Sequence, residues 1–138
     1  MRNPMLGLLA AAVFTFPAIA DDAAINSAQS TVRAQLEAFQ SGDDAGAYSH
    51  AAPNIRRIFP SQDAFMRMVR EGYPAVHRPQ SFDFGAGESD GTGAVVQRVE
   101  LIGPDGRGYE AVYTLELQPD GRYLITGVHL RASQMIGT

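Results

Sequence analysis

The groups able to do chemistry in this chain are three histidines, five tyrosines and a set of arginines. Cysteine is absent, and all 11 basic residues are arginine. Thiolate metal sites, cysteine nucleophiles and lysine Schiff bases are therefore excluded. His50, His77 and His129 lack metal-ligand spacing, so neither a metal nor a cofactor is expected. An isomerase-type proton transfer needs a positioned base and a donor to the developing oxyanion. His129 and Tyr113 are the candidates, with Gln97 as a third polar group beside them. No carboxylate is placed to serve as the base, and a lone interior histidine is more often structural than catalytic. Arg56 and Arg57 form a pair that can meet an anionic ligand at a pocket mouth, with Arg56 as the candidate. A solvated pair, or a salt bridge to Asp43 or Asp44, is the favoured reading. Tyr48 lies near the same place and reads as core packing with a bonded hydroxyl. Gly85, Gly87, Gly91 and Gly93 flank Glu88-Ser89-Asp90 with no helix behind them. That pattern is a mobile strand connection and not a phosphate loop.

The elements that must position these groups change period near Pro79. Ile25, Ala28, Val32, Leu36 and Phe39 recur at three- and four-residue steps, which predicts a helix over 23–41 with Gly42 as its stop. Asp43 or Asp44 caps a short helix through Tyr48, and Pro53 opens a turn carrying Ile55, Ile58 and Phe59. Ser61 caps a helix over 62–71 with Phe65, Met68 and Val69 on one face. From Ser81 onward the period is two. Strands are expected over 81–85, 91–103, 107–118 and 122–132. Helices followed by an antiparallel meander make an α+β domain.

Two nearly duplicated turns, Gly103-Pro104-Asp105-Gly106-Arg107 and Gln118-Pro119-Asp120-Gly121-Arg122, predict three-residue hairpin connections. Running the registers out from them pairs Gln97 with Tyr113, Tyr113 with Gly127 and Ala111 with His129. Gln97, Tyr113 and His129 then share the face that meets the helices, around a pocket holding a few polar groups. The same register puts Val96, Val112, Leu124, Val128 and Leu130 on the outer face. An apolar patch there predicts a face-to-face homodimer.

Residues 1–20 read as a secretory leader. Arg2 is followed by an apolar run from Met5 to Phe16, by Pro17, and by the small-x-small site Ala18-Ile19-Ala20. The run is too short to span a membrane, which takes about 20 apolar residues. Residues 21–138 are then a single exported domain, periplasmic or secreted, without a membrane anchor. Formal net charge is −4, which argues against a nucleic-acid or anionic membrane surface.

Several short motifs in order resemble an exported bacterial family of unknown function, DUF4864. They are Phe39-Gln40-Ser41-Gly42-Asp43, Ala52-Pro53-Asn54-Ile55-Arg56, Phe65-Met66-Arg67-Met68-Val69, Gly72-Tyr73-Pro74 and the ending Gly121 to Val128. The resemblance implies export and a nuclear-transport-factor-like or cystatin-like cone, with helices on a curved antiparallel sheet. It implies no chemistry, and the wider fold hosts isomerases, lyases, ligand carriers and dimerisation modules. The combined expectation is a non-catalytic module with a small, mostly apolar ligand pocket lined by Gln97, Tyr113, His129, Tyr48 and Arg56. The alternatives are an isomerase or lyase using His129 and Tyr113, and a structural dimer with a filled core.

Overall fold

The apolar stripe of the first helix is what the sheet covers. In the computed structural model, which describes residues 16–133, α1 spans Phe16–Ser41. Ala28, Val32, Leu36 and Phe39 are all buried on its inner face. The helix runs further back than the predicted start at Ala23. Residues 1–15 of the predicted leader lie outside the described residues.

Four short helices follow, each with a local cause. Gly42 takes φ 75° and ends α1. Asp43 then accepts a hydrogen bond from the Gly46 amide at 2.9 Å and caps α2, Asp44–Ser49. Pro53 opens α3, Pro53–Ile58. The Ser61 hydroxyl caps α4, Gln62–Gly72, by accepting from the Ala64 amide. Phe65, Met66 and Val69 of α4 are buried, and Met68 is half-buried. Tyr73-Pro74 leads into a one-turn helix α5, Pro74–His77, that buries Ala75 and Val76.

The strands are β1 Ser81–Ser89, β2 Ala94–Ile102, β3 Gly108–Leu117 and β4 Tyr123–Ala132. They form an antiparallel sheet in sequence order, so the α+β expectation holds. The glycine-rich stretch was expected to be a loose connection, and most of it is strand. β1 keeps pairing with β2 as far as Ser89 across a bulge between Phe84 and Gly87.

Both Pro-Asp-Gly turns form as predicted. Gly103 and Arg107 close the first, with Gly106 at φ 79°; Gln118 and Arg122 close the second, with Gly121 at φ 91°. The first hairpin keeps its predicted register throughout, including Gln97 opposite Tyr113.

The second hairpin keeps it only as far as Leu115 opposite Ile125. One extra residue, Thr126, is then inserted on β4, and Thr114 pairs with Gly127. The cause is tertiary. The segment between α2 and α3 docks on the outer edge of β4 at this point. The Ala52 amide donates to the Ile125 carbonyl, the Ile125 amide donates to the His50 carbonyl, and the Asn54 side chain donates to the Thr126 carbonyl.

Beyond the bulge every side chain of β4 changes face. Val128, not Gly127, lies opposite Tyr113, and Leu130, not His129, lies opposite Ala111. Val128 and Leu130 therefore pack against the core, and His129 is exposed on the outer face opposite Val112. The outer patch expected from the straight register loses both residues. A third member, Leu124, is only 6% exposed. The basis for the predicted face-to-face homodimer is removed with them. Among the described residues no helix is long and apolar enough to cross a membrane.

Candidate functional site

Gln97 and Tyr113 meet side by side on the core face, as expected, but the partners of Gln97 are structural. It is fully buried. Its amide nitrogen donates to the carbonyls of Gly85 at 3.0 Å, Ala86 at 3.3 Å and Arg98 at 2.9 Å, and its oxygen accepts from Gln29 at 3.2 Å. The carbonyls of Gly85 and Ala86 belong to the β1 bulge, where strand pairing cannot use them. Gln97 supplies the hydrogen bonds that burial demands there.

Tyr113 is also fully buried, and its hydroxyl has no hydrogen-bond partner. Burial pushes the phenol well above its ordinary range, so it stays neutral at any physiological pH. A buried hydroxyl without a partner costs about 1–3 kcal/mol of desolvation. Tyr113→Phe is therefore expected to hold stability level or raise it by about 1 kcal/mol. The urea midpoint, read at unchanged m-value, checks this. A loss of more than about 1 kcal/mol would mean that the hydroxyl has a partner after all.

The bulge in β4 separates His129 from this pair. His129 and Tyr113 lie on opposite faces of the sheet, so they cannot serve as base and donor to one substrate. Tyr48 and Arg56 form a second pair. The Tyr48 hydroxyl donates to the Phe59 carbonyl at 2.6 Å. Arg56 donates to the carbonyls of Ala51 and Ser49, both at 3.0 Å, with its guanidinium carbon 5.0 Å from the Tyr48 ring centroid. These bonds tie α3 to the end of α2, where unpaired helical carbonyls need donors. Neither the free pair nor a salt bridge to Asp43 or Asp44 describes Arg56.

An apolar concavity lies elsewhere. A cavity of about 260 Å³ lies between the middle of β4 and helices α1, α3, α4 and α5. Phe39, Ile55, Phe59, Phe65, Met68 and Val69 line it from the helical side, and Ile125 and Val128 from the sheet. Its side-chain polarity comes from Gln35 and Tyr73, and both have protein partners. Gln35 donates to the Ala47 carbonyl at 3.0 Å, and Tyr73 donates to the Val128 carbonyl at 3.4 Å. Among the described residues no histidine, carboxylate or arginine lines it. The cavity thus offers apolar surface and a few fixed dipoles, with no acid–base pair.

None of the five residues predicted for a pocket lines this cavity. Gly127 was the available signal: a glycine inside a strand often marks a bulge. The chain matches the family described as a domain of unknown function, DUF4864, over residues 20–137. It belongs to that family. The match runs through every element that walls the DUF4864 cavity. No curated protein matches the chain, and no solved structure does.

Proposed function

We propose that this DUF4864 chain is an exported, non-catalytic module that holds a small, uncharged, mostly apolar ligand in the cavity between β4 and helices α1, α3, α4 and α5. The observation that carries this reading is the cavity itself: about 260 Å³, walled by aromatic and aliphatic side chains. Apolar voids of about 150 Å³ in other proteins already take benzene. Each Å² of apolar ligand surface buried contributes about 25 cal/mol. The few polar groups are engaged with the backbone, which favours an uncharged guest. Export rests on the leader read in residues 1–20, with Asp21 as the expected first residue of the secreted form.

The test uses a neutral fluorescent probe, N-phenyl-1-naphthylamine, together with a cavity-filling variant. Met68 lines the cavity and is half-buried, and the chain has no tryptophan. Met68→Trp is expected to abolish the fluorescence rise seen with the unmodified protein. It is also expected to raise stability, by about 1 kcal/mol, as cavity filling commonly does. Circular dichroism verifies the fold of the variant. Equal probe binding by both proteins would place the apolar site elsewhere. N-terminal sequencing of protein recovered from the producing cell would refute export if it began at Met1.

A further inference from the structure

A second concavity, of about 520 Å³, lies on the other side of α3. α3 and the turn between β3 and β4 form its walls. Pro53, Ala51 and Leu124 give it an apolar base, and Arg56, Arg57 and Arg122 reach it together with one carboxylate, Asp120. Three positive groups against one negative make this a cationic groove on a protein whose net charge is −4.

The three arginines differ in what they have free. Arg56 is held by the carbonyls of Ser49 and Ala51 and by the Tyr48 ring. Arg122 uses only Nε on Asp120, at 2.8 Å, in an exposed pair whose side chains are 60% and 52% accessible. Such surface pairs are weak, so the terminal nitrogens of Arg122 remain available. Arg57 is exposed on α3 and has no ion pair or hydrogen bond from its side chain among the described residues. Two guanidinium groups with open forks in one groove suit an oxyanion, which accepts two parallel N–H bonds from each.

We infer that this groove binds an oxyanion group, a carboxylate or a phosphate, between Arg57 and Arg122. The site is distinct from the apolar cavity and stands whether or not that cavity takes a ligand.

His50, next in sequence to Ala51 of the groove, reports on the site through Arg122. Burial and the nearby Arg122 hold its imidazole below the ordinary range, while Asp43 acts in the opposite direction. An anion seated on Arg122 offsets that positive charge and raises the pH midpoint of His50. His77 is an internal control, because its charged neighbours are Arg78, Arg70 and Asp44 rather than any groove residue.

The experiment follows the histidine ring signals by NMR through a pH titration. Inorganic phosphate and octanoate are the probes, with sodium chloride at matched ionic strength as the reference. Either anion is expected to raise the His50 midpoint by about half a pH unit relative to chloride, with His77 unmoved. The anion that acts at the lower concentration identifies the source, a free phosphate or an acyl carboxylate. Arg57→Gln and Arg122→Gln are each expected to weaken the effect at least about tenfold. Arg107→Gln, in the near-duplicate turn away from the groove, leaves it unchanged. The proposal is overturned if neither anion moves His50 beyond chloride, or if Arg107→Gln weakens the effect as much as Arg57→Gln.

Discussion

Val128→Asp is expected to destabilise the protein by about 3 kcal/mol or more, whereas His129→Asp is expected to stay within about 0.5 kcal/mol of the parent. The two positions are adjacent in sequence and opposite in environment. Val128 lies across from Tyr113, packs against the core and lines the apolar cavity. A carboxylate there loses its water without gaining a charged partner. His129 is exposed across from Val112, where a carboxylate keeps its solvent. Had the hairpin run on without the extra residue at Thr126, the order of the two effects would be reversed. Urea unfolding of both variants therefore reads the register directly. A costly His129→Asp beside a tolerated Val128→Asp would restore the uninterrupted hairpin.

Apart from Gly127, the apolar pattern of the sequence was silent at this point for a definable reason. Register is fixed when one face is apolar and the other polar, because a slip then moves the wrong residues inward. Leu124, Ile125, Val128 and Leu130 supply apolar side chains to both faces of β4, so the pattern has no preference between the two registers. What decides is the docking of Ala52 and Asn54 on the strand edge, more than 70 residues away in sequence. The first hairpin has no such intruder. Its Pro-Asp-Gly turn carries the register from Gly103 back to Ala94 without interruption. The starts of α2, α3 and α4 were legible for the same local reason: Asp43, Pro53 and Ser61 act within three residues of themselves. The apolar cavity was not legible, because its walls come from five separate elements. The residues singled out for it were the polar ones. Tyr48 and Arg56 turn out to brace the chain that forms one wall, and Gln97 to complete a bulge.

Gly87→Ala is expected to cost about 2–4 kcal/mol, a large effect for a single methyl group. Gly87 does not require an unusual backbone angle, as Gly106 and Gly121 do. The cost is one of space. A Cβ on Gly87 would overlap the Gln97 side-chain oxygen and would sit 2.8 Å from Cγ2 of Ile25. A flexible side chain at the surface would swing aside, but Gln97 is fully buried and its amide is pinned by Gly85, Ala86, Arg98 and Gln29. To move it is to strand the two bulge carbonyls, so the methyl group and the hydrogen-bond network fail together. Gln97→Ala alone, which strands the same carbonyls, is expected to cost about 2–3 kcal/mol. The double variant separates the two causes. With the amide gone, the nearest contact left to the new methyl group is Ile25, so the combined loss should fall short of the sum by about 1 kcal/mol or more. Strict additivity would show that the methyl group is resisted by α1 through Ile25, and that the Gln97 network is not what holds the bulge closed.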